Sequence, residues 1–295
     1  MKRAFMALAC AATAALVAPA VAAPAQAQTS TQAQARPLNP TAALKKAFVP
    51  GRGVRFTSSG KIDVGGIATV KSSAKGSLAF GRSGVTGSDV TARTDYGALL
   101  QEDVEGANKP TRTITVGRAA YVTGGVFSSL FPEGKKWLRM PGKNSANPLG
   151  SNGEFINPLD ARTLKTVLAT TKAKGKGGVV NGARTTLYRG AITLKQLAQL
   201  DPSLKKSLTA SDAKSVVNWK MWVGGDQLVR KLQTSLTLKL RYKKTTMEVD
   251  TSNVISFVGW GSRVTVKAPP KSQVASLGDL LGSIPDMPDT INLGD

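Results

Sequence analysis

Histidine is absent from this 295-residue chain, and cysteine occurs once, as Cys10. Cys10 lies inside the first apolar run, so a chain that has lost that run has neither thiol nor imidazole. Such a chain cannot form a Cys/His metal site. It cannot use a Cys nucleophile or a His base. It has no disulfide, so a buried core must hold it together. Carboxylates are sparse, with 18 acidic against 40 basic residues and a formal charge of +22, and aromatic residues make up 5%. Beyond the N-terminus no apolar run approaches the roughly 18 residues that a membrane-spanning helix needs.

The first residues fit a secretory leader. Lys2 and Arg3 supply the positive start, Phe5 to Val17 a short apolar core, and Ala25-Gln26-Ala27 a small-residue cleavage pattern. Release after Ala27 is expected, with cleavage a few residues earlier equally allowed. A lipid anchor on Cys10 is disfavoured, because that site would precede most of the apolar core. Loss of residues 1–27 removes Lys2, Arg3 and no acid, which takes the charge from +22 to about +20. This charge favours anionic membrane surfaces or cell-wall polymers. The basic residues are scattered and lack interleaved stacking aromatics, so nucleic acid is not an expected partner.

Residues 28–40, rich in Gln, Ala, Thr and Pro, read as a disordered linker. Thr41 to Phe48 reads as a short helix with Thr41 as N-cap. From Gly53 onward the chain alternates in short pieces: Val54 to Phe56, Ile62 to Val64, Leu78 to Phe80, Val85 to Thr94, and Thr111 to Val116 turning at Gly117-Arg118 into Ala119 to Val122. Trp137 to Met140 is a further strand. Many short strands with close turns indicate an antiparallel meander. Asn157-Pro158 then opens a helix whose stripe is Leu164, Val167 and Leu168. Lys172 to Gly178 reads as a loop, and Asn181-Gly182 as a type I′ hairpin turn. Thr193 and Gln196 have capping-box spacing, and Asp201-Pro202 starts another helical turn to about Leu208. Strands follow at Thr246 to Val249, Val254 to Val258 and Arg263 to Val266. A short helix at Ser276 to Leu281 and a tail at 285–295 close the chain.

The stretch around which the rest is organised runs from Val216 to Leu240. Two apolar runs flank a turn at Gly224-Gly225. Val217, Trp219, Met221 and Val223 share one face of the first run. Leu232, Leu236, Leu238 and Leu240 share one face of the second, with Lys231, Gln233, Ser235, Thr237, Lys239 and Arg241 on the other. A period of two predicts a sheet with one apolar and one wet, basic face. Alternation leaves open which way Trp222 points.

Four segments in order resemble actinobacterial lipoproteins of the LolA/LppX/LprG type. VNWKMWVGGDQLVRKL resembles that family's W-V-D-G-x-x-L-P-R-K hairpin. Here Trp222, Val223, Gly225, Leu228, Arg230 and Lys231 match, while Gly224 replaces the Asp and Val229 the Pro. TITVGRAAYV with KKWLRM resembles a second hairpin. VVNGARTTLYRGAITLKQL resembles a third segment, in which Tyr188 matches and Leu187 replaces a His. ISFVGWGSRVTVKAPPKSQV resembles the closing strand. The similarity covers about residues 41–284. It implies an α+β fold: a single large bent antiparallel sheet, a half-barrel, with helices on its concave face. It also implies a lipid-binding cavity for lipid or lipoprotein acyl chains, and neither a cofactor nor catalytic residues. Family members are usually lipid-anchored, whereas this chain has no convincing lipobox and reads as a secreted member.

The residues expected to line a lipid-binding cavity are Leu164, Val167, Leu168, Trp219, Met221, Val223, Leu236 and Leu238. The alternative for each is ordinary core. Ser-x-x-Lys spacings at Ser72/Lys75, Ser203/Lys206 and Ser211/Lys214 lack the companion motifs of a hydrolase. The carboxylate cluster Glu102, Asp103 and Glu105 precedes a loop-like stretch and reads as a solvated turn. The expectation is an exported, monomeric, non-enzymatic lipid carrier of the cell envelope. The other class kept open is a sensor or interaction domain that docks a wall polymer or partner protein through its basic face.

Overall fold

The computed structural model describes residues 39–97, 106–129, 131–141, 149, 154–242, 245–276 and 278–279. The expected leader, most of the linker, the tail and the cluster at Glu102 lie outside them. So does half of the helix expected at 276–281.

The strands are β1 (Arg52–Val64), β2 (Ala68–Phe80), β3 (Val85–Asp95), β4 (Thr111–Val116), β5 (Ala119–Gly124), β6 (Trp137–Pro141), β7 (Thr171–Val180), β8 (Ala183–Thr193), β9 (Val216–Gly224), β10 (Val229–Tyr242), β11 (Thr245–Arg263) and β12 (Val274–Ala275). The helices are α1 (Pro40–Ala47), α2 (Ala161–Ala169), α3 (Leu194–Ala198) and α4 (Pro202–Ser207). Among the described residues twelve strands form one open sheet in the order β12-β6-β5-β4-β3-β2-β1-β11-β10-β9-β8-β7.

Several expectations are corrected. The sheet is mixed, not purely antiparallel, because β12 pairs parallel with β6 through Val274–Trp137 and Ala275–Leu138. Lys172 to Gly178 is part of the edge strand β7, not a loop. Its alternating lysines suit an edge that must resist further pairing. The pieces at 54–56 and 62–64 are one strand. So are those at 246–249 and 254–258, which lie within β11. The Ser, Thr and Gly between them look loop-like in isolation, but pairing on both sides holds them extended. Asn39 rather than Thr41 caps α1, accepting from the Ala42 N–H. Asp160 rather than Asn157 caps α2, through the Thr163 N–H. The capping box of Thr193 and Gln196 forms as expected. Asn181 and Gly182 both have positive φ, 50° and 77°, as a type I′ turn requires.

The parallel pair has a clear cause. After β11 the chain leaves the sheet and crosses its outer face to the far edge. Val264 lies over Gly53 of β1 and Val266 over Gly87 of β3. A Cβ on Gly53 would stand 2.7 Å from Val264 Cβ, closer than packed carbon atoms approach. Glycine there gives the crossing segment its seat, and the crossing delivers β12 to β6 running parallel.

The other face carries the core. Its register reads straight across the sheet: Tyr188, Met221, Leu232, Ile255, Ser58 and Ala74 stand side by side on β8, β9, β10, β11, β1 and β2. Leu44 of α1, Leu164 and Val167 of α2, and Leu194 and Leu197 of α3 are buried in the same cluster. Trp219 anchors it. Its ring lies against Gly190 on β8, where an added Cβ would be 2.4 Å from the ring and 2.3 Å from the Thr170 carbonyl oxygen. Gly190→Ala is expected to lower stability by roughly 1–3 kcal/mol. Gly225→Ala, in open space, should leave the urea midpoint unchanged. Equal midpoints for the two variants would show that the ring does not rest on Gly190.

Candidate functional site

All eight residues expected at the site meet in one apolar cluster. Leu164, Val167, Trp219, Met221, Val223 and Leu236 are buried, each at most 3% exposed. Leu168 and Leu238 are half-buried at its margin. The helix stripe and the sheet face thus come together, although 50 residues and more separate them in sequence. Leu240 was expected on the same face, but its side chain lies outside the described residues. Trp222, left undecided by alternation, is on the opposite face, with the Lys231 ammonium 4.9 Å from its ring centroid.

Trp219 is fixed at both ends. Its Nε1–H donates to Thr170 Oγ1 at 3.1 Å, and the Thr170 hydroxyl donates to the Val167 carbonyl at 2.8 Å. The end of α2 is thereby tied to the sheet. The hairpin turn between β9 and β10 is held by the Gly224 N–H donating to the Leu228 carbonyl. Asp226 accepts from the Leu228 N–H and pairs with Arg230. The carboxylate of this turn therefore sits two positions after Gly224. The Asn39 N–H donates to Gln227 Oε1, which joins the turn to the start of α1.

The apolar face is not continuous. A polar belt crosses it, with Trp219, Thr234, Asn253, Gly60, Ser72 and Thr94 side by side. Thr234 and Asn253 are buried, and in the row beside them Ser58 Oγ is buried with no hydrogen-bond partner among the described residues. Beyond the belt apolar side chains resume. Leu236, Thr251, Ile62 and Val70 form one row, and Leu238, Val249, Val64 and Ala68 the next. This strip is incompletely covered: Leu238, Val64 and Val70 are half-buried and Ile62 is 36% exposed. Sequence reading missed the belt, because Thr, Ser and Asn within strands are ordinary on a wet face.

Glu154 was also missed. It immediately precedes Phe155 and Ile156, which pack on and in the core, and it is buried itself. Neither carboxyl oxygen has a hydrogen-bond partner among the described residues. Burial pushes its pKa up from 4.5 to about 8, since an apolar setting disfavours the charged form. No local signal marks it, as a single Glu before a Phe-Ile pair is unremarkable.

Of the Ser-x-x-Lys spacings, Ser72 and Lys75 stand three apart on β2, so they point to opposite faces. Ser211 and Lys214 are both exposed at a 3-10 turn.

No protein-family model matches the chain, and no curated protein matches it. Among solved structures it is similar to a DUF1329 family protein from Desulfovibrio piger, with 13% identity, 78% of this chain and 93% of that one covered, and a TM-score of 0.27. It is similar to a LolA superfamily protein from Nitrosomonas europaea, with 9% identity, 77% and 93% covered, and a TM-score of 0.26. It is also similar to lipovitellin, studied for its lipid–protein interactions, with 9% identity, 75% and 26% covered, and a TM-score of 0.28. These values are too low to carry a family, a ligand or a role over to this chain.

The Glu154 carboxyl binds its proton more tightly in the fold than in the unfolded chain. Its contribution is therefore intact below about pH 4.5 and is lost as pH rises from there towards 8. Relative to Glu154→Gln, which cannot ionise, the wild-type protein should lose roughly 3–5 kcal/mol between pH 4.5 and pH 8. Urea unfolding of both proteins across that range measures the difference. A difference that does not change with pH would show that Glu154 is solvated.

Proposed function

We propose that this protein is an exported, non-enzymatic lipid carrier of LolA type that holds an acyl chain against the apolar face of its sheet. The observation that carries the reading is the half-covered strip beyond the polar belt. The deep cluster around Trp219 and Met221 is filled by its own helices, whereas Leu238, Ile62, Val64 and Val70 keep accessible surface. An acyl chain laid along that strip would contribute about 0.8 kcal/mol for each CH₂ it buries. Thr234 and Asn253 of the belt, with Ser58 in the row beside them, would meet the polar end of the lipid. In this arrangement Leu238 and Leu168 touch ligand, while Leu164, Val167, Trp219, Met221, Val223 and Leu236 form the floor beneath it. The order of the four resembling segments supports the same reading. They fold as the β9–β10 hairpin, the β4–β5–β6 meander, the β7–β8 hairpin leading into α3, and β11 with its crossing segment.

The test is lipid extraction and mass spectrometry of the mildly purified mature protein, followed by binding of a fluorescent fatty acid to wild type and Leu238→Asp. A stoichiometric acyl lipid is expected, together with a roughly tenfold weaker affinity in the variant at unchanged thermal stability. A lipid-free protein that also leaves the fatty acid unbound would overturn the reading.

A further inference from the structure

The outer face of the sheet, opposite the core, has a composition that the lipid reading does not use. Its register places Arg189 beside Lys220, Lys220 beside Gln233, Gln233 beside Val254, Val254 beside Ser59, Ser59 beside Ser73, and Ser73 beside Arg93. The neighbouring row runs from Trp222 through Lys231, Ser256, Thr57, Lys75 and Thr91 to Arg112. These rows hold six basic residues and no carboxylate. Arg112 is paired with Asp89 from the row beyond and lies over the Trp137 ring, and Lys231 caps Trp222. Arg189, Lys220, Lys75 and Arg93 are exposed and carry no ion pair among the described residues. From Arg189 on β8 to Arg93 on β3 the row crosses six strand spacings, about 29 Å at roughly 4.8 Å each.

We propose that these two rows form a docking track for a linear phosphodiester polymer of the cell-wall kind, laid across the strands. Three observations select this partner. The cations of these two rows stand along lines perpendicular to the strands, with Lys61 and Lys71 side by side in the adjoining row. Apart from Val254, the positions between them are Ser, Thr and Gln, whose hydroxyls and amide can donate to phosphate oxygens or polyol groups. The two rows themselves offer little to insert into a bilayer: Val254 is half-buried, and Trp222 is half-buried with Lys231 on its ring. A membrane anchor of this size would instead present exposed aromatic or aliphatic side chains. Binding is electrostatic, so it weakens as salt rises, by displacement of counterions from the polymer. The track faces away from the apolar face, so the polymer and an acyl chain can be held together. Polymer binding therefore stands or falls separately from lipid carriage.

The test titrates synthetic poly(glycerol phosphate) into the mature protein at 50 and 200 mM salt. Vesicles of equal phosphatidylglycerol and phosphatidylcholine serve as comparison. One variant reverses the track with R189E, K220E, K75E and R93E. A second makes the same change in net charge away from it, with K45E, K46E, K205E and K206E, all exposed. Polymer binding that weakens with salt, falls roughly tenfold or more in the track variant and holds within about twofold in the control is the expected result. Equal losses in both variants would show that net charge alone attracts the polymer. No polymer binding, or tighter binding to the vesicles, would also overturn the proposal. Circular dichroism of the track variant checks that its fold is intact. If it is not, the single variants Lys220→Glu and Arg93→Glu are read in the same way.

Discussion

Side chains alternate along every strand, so the register of the sheet decides what each residue does. A slip of one residue between β9 and β10 would turn Trp219, Met221 and Val223 to water and bring Lys220 and Trp222 into the core. The contacts that prevent it are local and specific. The Trp219 indole is held by the Thr170 hydroxyl and seated on Gly190. The β9–β10 turn is closed by Asp226 with the Leu228 N–H and Arg230. With that register set, the pairings carry it outward strand by strand. Helices α1, α2 and α3 can then cover one face while the other stays basic and hydrated.

The second constraint concerns what crosses the sheet. A segment passing over the outer face needs close approach, and Gly53 and Gly87 provide it under Val264 and Val266. This ties one edge of a long sheet to its middle, since β12 at that edge follows directly from β11 in the interior. The polar belt does something different on the inner face. Thr234, Asn253 and Ser58 interrupt an apolar surface that would otherwise run unbroken from Phe257 to Leu238. Buried polar groups of this kind are costly unless they are partnered. Their position between a filled core and an open strip is where the polar end of an amphipathic ligand would lie.

Much of this was legible beforehand. The faces of Val216 to Leu238, the Asn181-Gly182 turn, the capping box at Thr193 and the stripe on α2 follow from local periodicity and turn chemistry, which the fold leaves unchanged. Errors came where both faces of a strand are hydrophilic or small. Thr57 to Gly60 and Lys172 to Gly178 have loop-like composition, yet they are strands because neighbours on the sheet hold them extended. Glu154 and Ser58 were invisible because nothing local distinguishes a buried Glu or Ser from a solvated one.

The sequence by itself determined the two-faced character of the sheet, the places of most turns and caps, and the exclusion of thiol and imidazole chemistry from every residue after Cys10. Each of these depends on residue type or short-range spacing. Only the tertiary structure decided the strand order, the parallel pairing of β12, the belt across the inner face and the basic rows across the outer one. Those features consist of residues from as many as seven strands standing side by side. Lateral neighbours on a sheet are set by hydrogen-bonded register between distant segments, which local periodicity along the chain does not encode.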